Sequence, residues 1–329
     1  MLYRTIGRSG IKASVVGMGT WVTGGWMWGG SDEKQSIDAI QLALDLGVNL
    51  IDTAPIYGFG HSEEVVGKAL AGQRDRAVII TKCGQVWHDT RGSHAFDDSG
   101  KSVYHYLGPE SIRYELEQSL RRLRTDYIDI YMVHVPDATT PVEETMKELL
   151  DLKSEGKIRG IGLSNMTIEQ LDQYLQVGQV DCDEEKYSML DREIETSLLP
   201  RCLSKEVSVV AYSPLSNGLL TGKLSPDHQF NEGDMRGANP RFDPQNIKII
   251  NEMLSEFDPI ARDYKINYTQ LAIAWVLARA GVTHVLVGAR NSEQVRQNAA
   301  AAAVSLTEDE VERMNMVVEV YTHQMYASS

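Results

Sequence analysis

Residues 127–165 read YIDIYMVHVPDATTPVEETMKELLDLKSEGKIRGIGLSN and contain the unit from which the fold is built. The apolar and β-branched run at residues 127–134 predicts a buried strand. Residues 141–155 carry apolar side chains at helical spacing and end at Gly156, which predicts a helix. Residues 158–164 predict a second strand, so the stretch forms a parallel βαβ unit.

The same unit recurs along the whole chain. Further strands are predicted at residues 15–19, 48–53, 77–82, 180–187, 207–212 and 284–287, and further helices at residues 33–46, 62–71, 109–123, 167–176, 193–203 and 292–303. Eight strands alternating with helices is the repeat count of a closed barrel. The predicted fold is therefore α/β, a (β/α)8 TIM barrel.

The segments that do not fit the repeat are predicted to lie at the two ends of the barrel. A β-hairpin from residues 3–6 and 11–14 is expected to cap the N-terminal end. Residues 84–108 and 214–244 are too long for ordinary connections and predict long loops at the C-terminal rim. Two further helices, near 244–264 and 269–280, are predicted between the second of these loops and the last strand. No linker divides residues 1–329, so one domain is expected.

A doubly wound dinucleotide-binding sheet is the rival architecture. Gly17 and Gly19 match the start of its G-x-G-x-x-G motif, but Val22 stands where the third glycine is required. Trp21 also stands where the helix of that motif has to begin. The partial glycine pair therefore does not support this rival.

Composition and charge narrow the class of protein. The net charge of −14 disfavours nucleic acid and anionic membranes as partners, because binding phosphates requires clustered Lys and Arg. The longest apolar runs are strand-length, far short of the roughly 20 residues that span a bilayer, and no signal peptide is visible. Three scattered cysteines, Cys83, Cys182 and Cys202, favour a reduced, cytoplasmic protein.

Polar residues at the predicted strand ends suggest acid–base chemistry. Barrel enzymes place their catalytic groups at the C-terminal ends of the strands, where Asp52, Lys82 and His134 stand. Tyr57 follows Asp52 on the next loop. A phenol with a pKa of about 10 is a weak acid at neutral pH, but Lys82, held by Asp52, is expected to lower the pKa of Tyr57. Such a set suits proton donation to a carbonyl oxygen, with the hydride coming from a cofactor.

These residues resemble the aldo-keto reductase family. D-T-A-P-I-Y-G at 52–58 resembles the family motif D-T-A-x-x-Y-G, and I-I-T-K at 79–82 resembles its lysine strand. Residues 127–134 resemble the strand that delivers the histidine, and 156–165 are similar to the strand-five motif whose Ser and Asn hold the nicotinamide carboxamide. The resemblance implies an NADPH-dependent reductase. In it Tyr57 is the proton donor, Lys82 and Asp52 tune that donor, and His134 orients the carbonyl.

The resemblance also implies a coenzyme site along the rim. Arg290 is expected to pair with a 2′-phosphate, which favours NADPH over NADH, and Tyr212 is expected to stack on the nicotinamide. At the position of Glu184 the family usually presents Gln; a carboxylate accepts from an amide NH2 but cannot donate to its oxygen. The expected coenzyme residues are Gly19, Thr20, Trp21, Asp52, Ser164, Asn165, Glu184, Tyr212, Ser213, Pro214, Leu215, Leu219, Gly222, Lys223, Arg241, Gly288, Arg290, Gln294 and Asn298.

Aromatic and polar side chains near the predicted mouth of the barrel are expected to bind the substrate. They are Trp21, Trp26, Tyr57, Trp87, His88 and His134. The resemblance is closest to a bacterial branch with His-x-Pro-Asp at the end of strand four, here residues 134–137, and this favours an oxo-sugar or sugar-derived aldehyde. The histidines and acids of residues 84–108 match no ligand template, so no metal is expected.

Two other classes of function remain open. The first is an NADPH-binding regulatory module with little turnover, similar to the potassium-channel β relatives of the family. The second is a barrel hydrolase or isomerase that uses Asp52 and His134 and needs no coenzyme. The sequence also leaves a homo-oligomer open.

Overall fold

A computed structural model describes the backbone of residues 1–327 and the side chains of residues 1–323. The strands are β1 (Tyr3–Thr5), β2 (Lys12–Ser14), β3 (Val16–Gly19), β4 (Leu50–Asp52), β5 (Val78–Cys83), β6 (Gln85–Val86), β7 (Ser93–Asp98), β8 (Lys101–His105), β9 (Ile128–Val133), β10 (Ile158–Ser164), β11 (Cys182–Lys186), β12 (Ser208–Tyr212) and β13 (Val282–Gly288). The helices are α1 (Glu33–Asp45), α2 (His61–Ala69), α3 (Pro109–Leu123), α4 (Val142–Ser154), α5 (Ile168–Val177), α6 (Leu198–Ser204), α7 (Pro244–Ser255), α8 (Asp258–Tyr264), α9 (Tyr268–Leu277), α10 (Ser292–Ala300) and α11 (Glu308–Ala327).

Eight parallel strands close into a barrel in the order β10-β11-β12-β13-β3-β4-β5-β9. The barrel closes because β9 pairs with β10, and the first and last barrel strands of the chain, β3 and β13, also pair, both in parallel. Strands β1 and β2 form a separate antiparallel hairpin. The predicted TIM barrel and its N-terminal hairpin are confirmed.

The barrel interior is packed with apolar side chains from the strands and from the hairpin. Leu50, Ile80, Met132 and Val210 form one buried cluster that also includes Ile6 near the hairpin. Because side chains alternate along a strand, the residue two positions further on points to the same side. Asp52, Lys82, His134 and Tyr212 each stand two positions beyond one of these interior residues, and Glu184 stands two beyond the interior residue Cys182. The strands therefore aim polar side chains at the C-terminal mouth.

Two predicted helices are interrupted by proline. The helix expected at 193–203 is a short 3-10 turn (Glu193–Thr196) followed by α6, which contains Pro200. The helix expected at 244–264 divides into α7 and α8, with Pro259 in the first turn of α8. Proline lacks the N–H that an unbroken helix needs, and it is tolerated in a first turn.

Two parts of the chain are more ordered than predicted. Residues 84–108, expected as a flexible loop, contain the antiparallel sheet β6-β8-β7. Helix α11 was not predicted at all; its Val311, Met314 and Val318 are buried. Among the described helices, none is both long and apolar enough to cross a membrane.

Candidate active site

A cavity of about 540 Å³ opens among the C-terminal ends of the barrel strands. Asp52, Tyr57, His134 and Glu184 line one part of it. The lining continues past the ends of β10, β12 and β13 to the beginning of α10. The cavity is therefore long enough to bring the predicted acid–base residues and most of the predicted coenzyme residues to one space.

Lys82 lies directly behind the cavity and is fully buried. Its Nζ donates to Tyr57 Oη at 3.3 Å and to the Thr53 carbonyl at 3.2 Å, and it forms an ion pair with Asp52. Burial opposes the ammonium form, but the charges of Asp52 and Glu184 outweigh this and hold the pKa of Lys82 well above its usual value. Lys82 is thus a fixed cation beside the phenol.

The pKa of Tyr57 shifts in the direction opposite to the prediction. Burial raises the pKa of Tyr57 above its ordinary value, and the nearby Lys82 lowers it by less than burial raises it. The carboxyl groups of Asp52 and Glu184 raise the pKa further. The expectation of a lowered pKa is therefore wrong, because it counted the cation and left out desolvation.

His134 faces Tyr57 in the cavity. The two ring centroids are 5.8 Å apart, with the rings nearly perpendicular. Burial, and then the charges of Lys82 and His105, depress the pKa of His134 well below its usual value. A neutral imidazole carries one N–H and one acceptor nitrogen, so it can orient a polar group without adding a second positive charge.

A small hydrogen-bond network joins the ends of β10, β11 and β12. Asn165 Nδ2 donates to the His134 carbonyl at 3.0 Å, and Tyr212 Oη donates to Asn165 Oδ1 at 2.8 Å. Ser164 Oγ donates to the Glu184 carbonyl at 2.8 Å. Asn165 has φ of 59°, a left-handed conformation that Asn tolerates better than most residues. This turn aims polar side chains into the cavity.

Most of the predicted coenzyme residues line the cavity. These are Gly19, Trp21, Asp52, Ser164, Asn165, Glu184, Tyr212, Ser213, Pro214, Leu215, Lys223, Gly288, Arg290, Gln294 and Asn298. The others lie outside its lining. Thr20 is buried behind it, where its hydroxyl donates to the Asp52 carbonyl at 2.8 Å. Leu219 belongs to the hydrophobic core. Gly222 packs beside Tyr268, and Arg241 is engaged by Asp191 and the Leu190 carbonyl.

Three cations line the end of the cavity nearest α10. Arg290 donates to the Trp28 carbonyl at 2.7 Å, and Arg236 pairs with Asp234 at 2.7 Å. Both guanidinium groups lie against the ring of Trp28. Lys223 Nζ donates a hydrogen bond to Gln297 Oε1 at 3.1 Å. Burial and the charge of Arg236 lower the pKa of Arg290. An excess of positive charge at this end suits an anionic ligand.

Tryptophans form one wall of the cavity beside Tyr57. Trp21 lies 6.1 Å from Tyr57 and 6.4 Å from Trp26, measured between ring centroids. Trp26 Nε1 donates to Asp98 Oδ2 on β7 at 3.0 Å. Contrary to expectation, Trp87 and His88 lie outside the lining: Trp87 packs on Phe59, and His88 packs on Tyr114. The folding of residues 84–108 into a sheet turns these two side chains away.

Several lining residues were not assigned to the site from sequence. They are Val22, Ile56, Gln85, Val135, Asn217, Gly218, Thr221, Leu224, Thr269, Leu286, Val287 and Gln297. Gln85 could have been found, because it lies only two residues beyond the end of β5, the strand that carries Lys82. Thr269 carries no such signal, since only the packing of α9 against the segment Ser216–Thr221 brings it near.

Fold and cavity together define a barrel with a buried acid–base centre at its C-terminal mouth, and comparisons with known proteins identify its class. The pattern of the aldo/keto reductase family matches residues 15–319. The aldo-keto reductase YhdN of Bacillus subtilis is 38% identical, over 97% of this chain and 94% of its own length. An NADH-specific methylglyoxal reductase of Escherichia coli is 42% identical, over 95% of this chain and 97% of its own length.

Solved structures agree with this match. Glycerol dehydrogenase AKR11B4 of Gluconobacter oxydans is 38% identical and superimposes with a TM-score of 0.87, covering 97% of this chain and 95% of that one. An aldo-keto reductase of Klebsiella pneumoniae in complex with NADPH is 29% identical, with a TM-score of 0.73 and coverage of 97% and 96%. The chain belongs to the aldo/keto reductase family and is an oxidoreductase.

Proposed function

We propose that this chain reduces an aldehyde or ketone to the alcohol with a hydride from NADPH, and that Tyr57 donates the proton. The observation that carries the proposal is the placement of Tyr57 Oη, which lines the cavity and lies 3.3 Å from the fully buried ammonium of Lys82. A phenol beside a fixed cation suits proton donation, because the cation stabilises the phenolate left behind.

The residues of the centre take separate roles in this reaction. Tyr57 transfers its phenolic proton to the carbonyl oxygen while the carbonyl carbon accepts the hydride, and the phenolate later recovers a proton from solvent. Lys82 stabilises the phenolate, and Asp52 holds Lys82 in place. His134, kept neutral by burial and by Lys82, orients the carbonyl from the opposite side.

The lining of the cavity fits a long anionic coenzyme. When bound, the nicotinamide supplies the hydride. Tyr212, Ser164, Asn165 and Glu184 would hold the nicotinamide part. Lys223, Arg290, Gln294 and Asn298 would hold the phosphates and the adenosine; on α10, Gln294 and Asn298 are four residues apart and share one face. A positively charged end within a chain of net charge −14 supports this assignment.

The substrate is proposed to be a small oxygen-rich carbonyl compound, such as an oxo-sugar or a sugar-derived aldehyde. Trp21, Trp26 and Trp28 supply flat apolar surface beside Tyr57, while Gln85 and His134 supply polar groups. Two of the similar proteins are described as a methylglyoxal reductase and a glycerol dehydrogenase. Both names describe small oxygenated molecules, in keeping with this choice.

The chain is also proposed to work as one domain in the cytoplasm. Support for one domain comes from β3 and β13, the barrel strands nearest to the two ends of the chain, which are hydrogen-bonded to each other. Support for the location comes from Cys83, Cys182 and Cys202, which are buried and unpaired as in a reducing compartment.

The experiment is a titration of the purified chain with NADPH and then with NADH, followed by tryptophan fluorescence. The cavity-lining tryptophans are expected to report binding by saturable quenching, with NADPH binding more tightly than NADH. A panel of small aldehydes, ketones and oxo-sugars then identifies the substrate through NADPH consumption. Absence of saturable binding with either coenzyme would rule out the reductase proposal and favour a barrel enzyme whose reaction needs no coenzyme.

A further inference from the structure

Glu184 places a second carboxyl group beside Lys82. Glu184 Oε1 lies 3.4 Å from Lys82 Nζ, and its carboxyl group adjoins that of Asp52. The side chains of all three residues are at most 5% exposed. Two acids and one ammonium are thus enclosed together at the base of the cavity.

The charges and hydrogen-bond donors of this cluster do not balance if both acids are ionised. Two carboxylates and one ammonium leave a net charge of −1 away from water, which is strongly unfavourable. An ammonium has three N–H donors. Lys82 Nζ faces four acceptors: Asp52 Oδ1, the Thr53 carbonyl, Tyr57 Oη and Glu184 Oε1. A single proton shared by the two acids leaves the cluster electrically neutral.

An unpartnered oxygen indicates where that proton resides. Glu184 Oε2 is buried and has no hydrogen-bond partner among the side chains described for residues 1–323. A carboxylate oxygen can only accept, whereas a protonated carboxyl group has an O–H that donates. A Glu184 that holds the proton can therefore donate to Asp52, while Asp52 remains the anion that binds Lys82.

We propose that Glu184 is a positioning residue that holds a proton: its carboxyl group donates to Asp52, Asp52 binds Lys82, and Lys82 faces Tyr57. The proposal rests on the proposed reductase function. Loss of the Glu184 proton adds a second negative charge near Tyr57, which disfavours the phenolate and slows proton donation. The rate of carbonyl reduction then depends on the ionisation of a residue that never touches the carbonyl group.

Every charged neighbour of Glu184 bears on this ionisation. The titratable groups near enough to act on Glu184 are Asp52, Lys82, Tyr57, Tyr212, Cys182 and the adjacent Asp183, whose side chain points to the other side of β11. Burial first, and then Asp52, raise the pKa of Glu184 to about 8, with Lys82 acting in the opposite direction. Burial also raises the pKa of Asp52, while Lys82 and the hydrogen bond from Glu184 oppose that rise. Burial thus favours one proton on this pair of acids, and the closer ion pair with Lys82 keeps Asp52 as the anion.

The test uses Glu184→Gln, which keeps the shape of the side chain and removes its ionisation. Glu115→Gln is the matched control. Glu115 is a buried acid whose pKa burial also raises to about 8, but it accepts a hydrogen bond from the Gly84 N–H and lies outside the cavity lining. Both variants exchange one buried acid for an amide. Only Glu184→Gln changes the charge next to Lys82.

The first readout needs no coenzyme and follows thermal unfolding of the full chain. Folded Glu184 keeps its proton up to about pH 8, whereas the unfolded residue loses it near 4.5. The folded state therefore holds more protons between these values, and wild-type stability falls as the pH rises through this window. Relative to wild type, the Tm of Glu184→Gln is expected to rise by roughly 7 °C across it.

The second readout is the pH dependence of carbonyl reduction at saturating NADPH. In wild type, and in Glu115→Gln, kcat/KM is expected to fall several-fold between about pH 7 and about pH 9, and in Glu184→Gln it is expected to stay level. Superimposable kinetic profiles in Glu184→Gln and wild type, with a Tm difference independent of pH, would overturn the proposal. If wild type reduces no carbonyl, the reductase function fails, and the Tm readout alone decides on Glu184.

Discussion

The acid–base centre and the coenzyme rim lie in one cavity but are built in different ways. Asp52, Lys82 and Glu184 stand on barrel strands, and their side chains are at most 5% exposed. Arg236 and Lys223 stand on irregular segments of the rim, and Lys223 is exposed. The geometry of the strands therefore positions the acid–base side chains, whereas contacts between loops determine which ligands the cavity binds.

The two regions also differ in how their charges are paired. In the centre, the ammonium group of Lys82 contacts two carboxyl groups and a phenol. The side chains of Lys82 and of the two acids are almost fully buried. At the rim, Arg236 pairs with Asp234, only two residues away. Changes in the centre are therefore expected to affect stability and turnover together, and changes at the rim to affect binding alone.

The largest effect is expected from Lys82→Met. Removing one partner of a buried ion pair costs about 3–5 kcal/mol of unfolding free energy, because the charge left behind has no compensation. Turnover is expected to fall at the same time, since the Tyr57 phenolate loses its stabilising cation. Chemical denaturation and steady-state kinetics measure the two losses.

The control for this variant is Lys68→Met. Lys68 pairs with Glu33 at 2.8 Å, and both side chains are more than a third exposed. Exposed pairs contribute little, so only a small change in the denaturation midpoint and unchanged turnover are expected. Equal stability losses in the two variants would show that burial gives the ion pair of the centre no more weight than an exposed pair on the outer helices.

An intermediate effect is expected from Arg290→Gln. A charge-assisted hydrogen bond to a phosphate contributes about 1.5–3 kcal/mol, so NADPH affinity is expected to fall roughly 10- to 100-fold. NADH has no 2′-phosphate, and its affinity is expected to stay nearly constant. Arg296→Gln, on the exposed face of the helix α10 that follows Arg290, is the control and should change neither affinity. An equal loss of NADPH and NADH binding would show that Arg290 does not meet the 2′-phosphate.

The smallest effect is expected from Asp98→Ala. Asp98 accepts a hydrogen bond from Trp26 Nε1 and so fixes one ring of the tryptophan wall. Losing it is expected to cost about 1 kcal/mol, or roughly five-fold in KM, without changing kcat. Asp97→Ala is the control, because Asp97 is exposed and bonds His94 at the surface. A change in kcat with unchanged KM would mean that the sheet β6-β8-β7 acts on the chemistry.

The same contrast explains how much the sequence could predict. The shared location of Asp52, Lys82 and His134 could be predicted because parallel strands all end at one mouth of the barrel. The alternation of side chains along each strand then determines that these three point inward. The sheet at residues 85–105 and the placement of Trp87 and His88 were missed, because a long excursion carries no periodic signal that fixes its packing. Helix α11 did have such a signal, with Val311, Met314 and Val318 at helical spacing. The pKa of Tyr57 was missed because sequence shows neighbours but not burial.

The most direct measurement of the central claim compares coenzyme binding and turnover in Tyr57→Phe. The substitution removes the phenolic oxygen and keeps the ring beside Trp21 and His134. NADPH quenching is expected to stay within a few-fold of wild type, while carbonyl reduction falls about 10²- to 10⁴-fold, the usual contribution of a general acid. Turnover close to that of wild type would contradict the assignment of Tyr57 as the proton donor and with it the proposed reaction.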